Sequence, residues 1–287
     1  MRAITYTTTG PSSVLGLIDD KPLPTPGPGE VRVRVVVSGV NPTDWKSRQG
    51  GSGGEQLPHP LVPNQDGAGV VDAVGPDVSG VVPGDRVWLW DAAWQRTDGT
   101  AQEYLVLPSA QAVPLPEAES FDTGASLGIP ALTAHRALTA HEDAPDRLAP
   151  GALSGLVVLV AGGAGAVGHA AIQLARWAGA TVITTVSGDR KGTMARAAGA
   201  EHVVNYRTDD VAAAVRALSP RGVDLVVEVN PDANLALDLD VLAPSGTVAL
   251  YATDTGEPLT IPFRPSMTKN IRYQFILTYT VTAAQTV

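Results

Sequence analysis

The chain of 287 residues contains no cysteine. That absence removes disulfides, thiolate nucleophiles and every zinc site built on cysteine ligands. Histidine is scarce as well: His59, His135, His141, His169 and His202 are scattered, and no two stand at HxxH or HExxH spacing. A metal could then be held only by residues distant in sequence. Positive charge is also in short supply, with 20 Lys and Arg against 29 Asp and Glu and a net charge of -9. No basic stripe is visible, which argues against a nucleic-acid partner. Long apolar runs are missing too. None reaches the length of a membrane span, and the N-terminus MRAITYTTTG has no apolar signal-peptide core. No membrane partner is expected, and the expected address is the cytoplasm.

What is present is enough apolar material, 44% of residues, and enough length for two domains with separate cores. The most informative stretch is VVLVAGGAGAVG, from Val157 to Gly168. An apolar run breaks into glycines and resumes with the helical spacing of Val167, Ala171, Leu174, Ala175 and Ala178, which predicts strand, tight turn and helix. Gly163, Gly165 and Gly168 fit G-x-G-x-x-G: the first permits the turn, the second admits a pyrophosphate, and the third lets helix pack on strand. Ala166 and Val167, between the last two glycines, belong to the same cradle at the helix N-terminus.

Glycines also serve ordinary turns, so the fingerprint depends on its context. A second β-like run, Thr181 to Val186, follows at the spacing of a βαβ unit. No acidic residue ends it to hold a free ribose 2′-hydroxyl. Ser187, Gly188, Asp189, Arg190 and Lys191 follow instead, a hydroxyl and two cations suited to a 2′-phosphate. This favours NADPH over NADH. In the competing reading, Ser187 and Asp189 cap the next helix and Arg190 and Lys191 lie on its wet face.

Residues 1 to about 120 read as mostly β. Strands are expected at Arg2 to Tyr6, Glu30 to Ser38, Ala68 to Val74, Arg86 to Trp90 and Ala101 to Leu107, a compact barrel-like arrangement. Pro22, Pro24, Pro26 and Pro28 form an extended connector. Two stretches read as irregular, Gln49 to Pro63 and Asp91 to Gly99. Trp88, Trp90 and Trp94 concentrate there, and both core packing and the lining of a substrate mouth fit them. From Phe121 strand and helix alternate. Helices are expected at Ile129 to His141, Lys191 to Ala198, Asp209 to Leu218 and Ala233 to Leu242. Strands are expected at His202 to Asn205, Val223 to Val229, Thr247 to Ala252 and Ile271 to Thr280, with a polar tail after them. The alternation predicts a doubly wound parallel sheet. Ligands bind such sheets at the carboxyl ends of the strands, where Tyr206 and Tyr251 stand.

The order of these features, a β region, then GAGAVG, then VSGDRK, resembles the zinc-free quinone oxidoreductase, or zeta-crystallin-like, branch of the medium-chain dehydrogenase/reductase superfamily. Further matching stretches are GVNPTDWKSRQG from Gly39, PNQDGAGVVDAVG from Pro63, PGDRV from Pro83, GTAQEYLVLP from Gly99, GIPALTAHRAL from Gly128 and VVNYR from Val203. The resemblance implies an α/β fold: a GroES-like β-barrel domain over residues 1–124 and a Rossmann-type doubly wound sheet over 125–287. Members of the branch continue for several dozen residues past a run like Ile271 to Thr280, so the C-terminal return segment is expected to be missing and stability to be lower than in a longer relative.

The same resemblance assigns residues. Where zinc-dependent relatives carry a metal-binding cysteine and histidine, this chain has Asn41 and Gln65, so no metal is expected. Asn41 matches the polar residue beside the nicotinamide and Thr133 a cofactor contact near that end, although a turn residue ahead of Pro42 and simple helix packing also describe them. Gly163, Gly165, Ala166, Val167 and Gly168 would cover the pyrophosphate. Ser187, Lys191 and Tyr206, with Arg190 beside them, would recognise the 2′-phosphate. Asp66 stands where related dehydrogenases carry an acid. Trp90 and Trp94 are the expected substrate-facing side chains. The implied activity is NADPH-dependent, zinc-independent hydride transfer to a quinone or other conjugated carbonyl. An enoyl-thioester or 2-alkenal reductase, and a non-catalytic NADPH-binding crystallin-like protein, remain open. A homodimer pairing through Ile271 to Leu277 is expected.

Overall fold

The alternation of Val31 and Val33 with Arg32 and Arg34 becomes a strand with one dry face: both valines are fully buried, while Arg32 turns to Asp72 at 2.6 Å. In the computed structural model, which describes residues 1–253 and 258–281, this strand is the spine of the first half. Packing divides the chain into two units, Met1–Ile129 and Pro130–Val287.

The first unit contains β1 (Ala3–Thr8), β2 (Gly16–Ile18), β3 (Glu30–Gly39), α1 (Pro42–Gln49), β4 (Gln56–Leu61), β5 (Asp66–Val74), β6 (Arg86–Leu89), β7 (Tyr104–Pro108), β8 (Ala112–Pro114) and α2 (Phe121–Ala125). Five strands form an antiparallel sheet in the order β7-β3-β5-β6-β8, and three form another in the order β2-β1-β4. Their core gathers Val31, Val33, Val71, Val87, Leu89, Leu105 and Leu107. It is the GroES-like domain of an α/β fold.

One expectation fails here, and one helix was not anticipated. Gln49 to Pro63 is not wholly irregular, because β4 lies within it despite Pro58 and Pro60. It sits at the edge of its sheet, where missing N–H groups are tolerated. The segment after Gly39 contains α1, signalled by Asn41 at the N-cap, Pro42 in the first turn and Asp44 three residues on.

In the second unit the chain enters on α3 (Gly128–Leu138), which crosses the division, and continues through β9 (Val157–Val160), α4 (Ala166–Trp177), β10 (Thr181–Val186), α5 (Asp189–Ala197), β11 (His202–Asn205), α6 (Val211–Leu218), β12 (Val223–Glu228), α7 (Pro231–Val241), β13 (Leu242–Leu250), α8 (Phe263–Thr268) and β14 (Arg272–Phe275). All six strands are parallel, in the order β11-β10-β9-β12-β13-β14. Both faces are dry: Val158 and Val160 of β9 pack with Ala171, Ile172 and Ala175 of α4, whereas Leu159 packs with Val211 and Val215 of α6 and Val241 of α7. This is the doubly wound Rossmann-type sheet expected of alternating strands and helices. The run from Ile271 to Thr280 is a correction. Only Arg272–Phe275 is strand, and a short 3-10 turn occupies Thr278–Thr280. The expected polar tail lies outside the described residues from 282 onward. Among the described residues no helix is long and apolar enough to cross a membrane.

Candidate functional site

The fingerprint turn is built by steric exclusion. Its left-handed residue is Gly162, at φ +67°, one position before the glycine expected to supply the turn. Gly163 is required for another reason: a Cβ there would stand 2.1 Å from Thr184 Oγ1 and 2.7 Å from Ile172 Cδ1. A Cβ on Gly168 would meet the Gly162 carbonyl at 2.5 Å, the close helix-strand approach assigned to the third glycine. Gly165, the N-cap of α4 at φ −76°, has only the Gly162 carbonyl oxygen, at 3.3 Å, near its missing Cβ. Its bare face therefore leaves room for a ligand's backbone approach. Gly162 N donates to Thr185 Oγ1 at 3.2 Å and Gly163 N to the Thr185 carbonyl at 3.1 Å, which pins the turn to β10. The first amides of α4, on Ala166, Val167 and Gly168, lack helical acceptors and suit a pyrophosphate.

Beside this turn lies a cavity of about 50 Å³ lined by Gly162, Ala164, Gly165, Val186, Ser187, Lys191 and Tyr206. It gathers Ser187, Lys191 and Tyr206 from three places in the sequence. The Tyr206 N–H donates to the Val186 carbonyl at 3.0 Å and holds the ends of β11 and β10 together. Ser187 does not cap α5, because the N-cap is Gly188. Arg190 is exposed and does not line the cavity. A hydroxyl, an ammonium and a phenol around one small space match a phosphate monoester.

Across the sheet, past the carboxyl ends of β12, β13 and β14, a second cavity of about 520 Å³ is lined by Pro231, Leu250, Tyr251, Gln274, Phe275 and Leu277, among others. Burial and the charge of Glu228 hold the Tyr251 phenol above its ordinary pKa, so it keeps its proton as a donor. Thr133 is a buried residue of α3, 6% exposed.

In the first unit Asn41 is 7% exposed and its Nδ2 donates to Asp66 Oδ2 at 2.7 Å. The same oxygen accepts the Ile129 N–H at 2.8 Å, while Asp66 Oδ1 is buried with no hydrogen-bond partner. A Cβ on Gly128 would stand 2.1 Å from that oxygen. Burial first, against the bonds from Ile129 and Asn41, raises the Asp66 pKa to about 7. Asp44 accepts from Asn41 N at 2.6 Å and Gln65 N at 3.1 Å, and burial raises its pKa to about 6. Gln65 Oε1 accepts the Ala93 N–H at 2.8 Å, so that side chain is tied to the neighbouring loop. Trp90 and Trp94 are half-buried. Sequence reasoning did not single out Gly162, Ala164 and Val186. Gly162 alone carried a signal, as the glycine opening the run.

Comparison with known proteins supplies the context for these sites. Residues 27–117 match the alcohol dehydrogenase GroES-like domain family, and residues 166–287 match the zinc-binding dehydrogenase family. The chain is 33% identical to a quinone oxidoreductase of Lama guanicoe over 94% of its length and 77% of the relative's. It is 36% identical to a synaptic vesicle membrane protein VAT-1 homolog of Rattus norvegicus over 79% of its length, spanning 53% of that relative. Among solved structures, an NAD-dependent alcohol dehydrogenase superposes with a TM-score of 0.83 at 32% identity, covering 96% of this chain and 84% of that one. A mycobacterial protein complexed with NADPH superposes with a TM-score of 0.79 at 30% identity, covering 97% and 82%.

Proposed function

The chain belongs to the quinone oxidoreductase branch of the medium-chain dehydrogenase/reductase superfamily, and from that premise we propose that it is an NADPH-dependent, zinc-independent reductase of quinones or other conjugated carbonyls. The observation that carries the cofactor choice is the cavity lined by Ser187, Lys191 and Tyr206 beside the glycine turn. Lys191 supplies charge and Ser187 and Tyr206 supply donors to a 2′-phosphate. The bare face of Gly165 and the free amides of α4 fit the pyrophosphate. In a sheet ordered β11-β10-β9-β12-β13-β14, a dinucleotide crosses the switch point between β9 and β12. Its nicotinamide half then belongs over the ends of β12 to β14, where the larger cavity lies. When bound, the dihydronicotinamide supplies the hydride, and the protein supplies position and polarity.

What the side chains are engaged in supports the zinc-independent reading. Asn41 is held by Asp66 and Gln65 by the Ala93 N–H, and neither amide offers the anionic or imidazole donor a catalytic zinc takes. In this proposal the Thr133 hydroxyl of the second unit orients the carboxamide, and Asn41, Trp90 and Trp94 are the first unit's candidate acceptor-binding residues. β14 is an edge strand whose outer side has no neighbour among the described strands, with Phe263 76% and Phe275 62% exposed nearby. Such an edge is suited to pairing with a second copy, which makes a homodimer through Ile271 to Leu277 part of the proposal. Parallel assays with NADPH and NADH on an ortho-quinone, an enal and an enoyl thioester test the reading. Tight NADPH binding without turnover on any of them would instead favour a binding protein.

A further inference from the structure

Behind two residues of the larger cavity's lining, Pro231 and Tyr251, the chain buries a pair of acids that the reaction does not use. Glu228, the last residue of β12, is fully buried, and Asp238 of α7 is 1% exposed. Glu228 Oε2 and Asp238 Oδ2 are both buried with no hydrogen-bond partner, and the two carboxyls are close enough to shift each other's titration. Two interacting buried carboxyls share one proton, because burial and the Glu228 charge both raise the Asp238 pKa. Such a pair is costly to bury and contributes little net stability compared with an apolar pair of similar volume. Its geometry suggests what it does instead.

Glu228 Oε1 accepts two hydrogen bonds, from the Asn230 N–H at 2.5 Å and from Asn234 Nδ2 at 3.0 Å. Its main-chain carbonyl accepts the Tyr251 N–H at 3.2 Å. One residue therefore holds the β12–α7 turn, the first turns of α7 and the end of β13. Pro231 and Asp232, just after that turn, and Tyr251 all line the 520 Å³ cavity. We infer that Glu228 is a positioning residue for the nicotinamide half of the cofactor: it locks the Asn230 turn and α7 against the end of β13, fixing two walls of the cavity. This rests on the NADPH reading above, and it adds that the Glu228–Asn230–Asn234 tie governs one half of the dinucleotide only. The cavity around Ser187 and Lys191 lies over β10 and β11, outside that tie.

Calorimetric titration of the folded protein with NADPH and with 2′,5′-ADP, which carries only the phosphate-bearing half, separates the two ends. Asn234→Ala removes one donor at a half-buried position, and about tenfold weaker NADPH binding with 2′,5′-ADP changed by less than about twofold is expected. Glu228→Ala should show a larger loss of the same kind. Glu228→Gln should restore most of the affinity, because its Oε1 still accepts from Asn230 and Asn234 while its amide donates to Asp238. Should Glu228→Ala not fold, Asn234→Ala and Glu228→Gln decide the matter alone. Asn234→Ala binding NADPH as the unaltered protein does, or losing both ligands equally, would overturn the inference. If the unaltered protein binds neither ligand, the cofactor reading itself falls, and this inference with it.

Discussion

Asn41 donates its side-chain amide to the carboxylate of Asp66 across 2.7 Å, in a place where Asp66 is fully buried and one of its oxygens has no partner. The pair couples a candidate active-site residue to a titrating acid. Burial raises the Asp66 pKa from 3.8 to about 7, so the unfolded chain releases this proton more readily than the folded one. The stability contributed by the protonated acid is full below pH 3.8 and is lost as pH rises through about 7. Asp44 and Asp91, each raised to about 6, act in the same direction. Stability measured by urea denaturation should therefore fall between about pH 4 and pH 7, and Asp66→Asn should flatten the upper part of that fall. An unchanged slope in the variant would refute the assignment.

Lys191 is the charged member of the small cavity beside the glycine turn. Lys191→Ala should weaken NADPH binding by about 10- to 100-fold, the worth of a charge-assisted hydrogen bond. NADH binding should be nearly unaffected. Arg190→Ala, at an exposed position outside the cavity, should change either by less than about threefold. Equal losses for both cofactors in Lys191→Ala would remove the 2′-phosphate assignment.

Two glycines of the fingerprint should separate folding from binding. Gly163→Ala places a methyl 2.1 Å from Thr184 Oγ1 inside the core. It should lower stability by about 3 kcal/mol, the upper range for overpacking. Gly165→Ala, at φ −76° with its new Cβ 3.3 Å from the Gly162 carbonyl and nothing else near, should cost much less stability than Gly163→Ala and lose dinucleotide affinity. Melting curves and cofactor titrations read the two effects apart, and a Gly165→Ala protein with full affinity would contradict the pyrophosphate cradle.

Phe275 is 62% exposed on the edge strand β14. If copies of the chain pair there, Phe275→Glu should shift the mass measured by light scattering from dimer to monomer. A monomeric unaltered protein would end the dimer proposal.

The glycine turn was legible because sterics leave few alternatives. Gly163 and Gly168 have no room for a Cβ, and that demand appears in the sequence as spacing. The alternation of Val31 and Val33 with arginines revealed β3 for a similar reason. The N-cap signals of α1 were present at Asn41, Pro42 and Asp44 but were overshadowed by the loop-like residues that follow. β4 was hidden by Pro58 and Pro60, since only the assembled sheet shows that its place is an edge. The end of the Ile271 to Thr280 run misled because its apolar residues after the strand, Ile276 and Leu277, line a cavity instead of extending it. Glu228 and Asp238 gave no sign at all. An acid at the end of a strand and another on a helix look like surface charge until the fold buries both.

The central claim is tested most directly by NADPH oxidation followed with an ortho-quinone as acceptor, with NADH run in parallel. Steady turnover is expected with NADPH, with kcat/KM for NADH lower by at least about tenfold, as a lost phosphate contact implies. It should persist in the presence of a metal chelator. Turnover that favours NADH, or that stops when zinc is chelated, would contradict it.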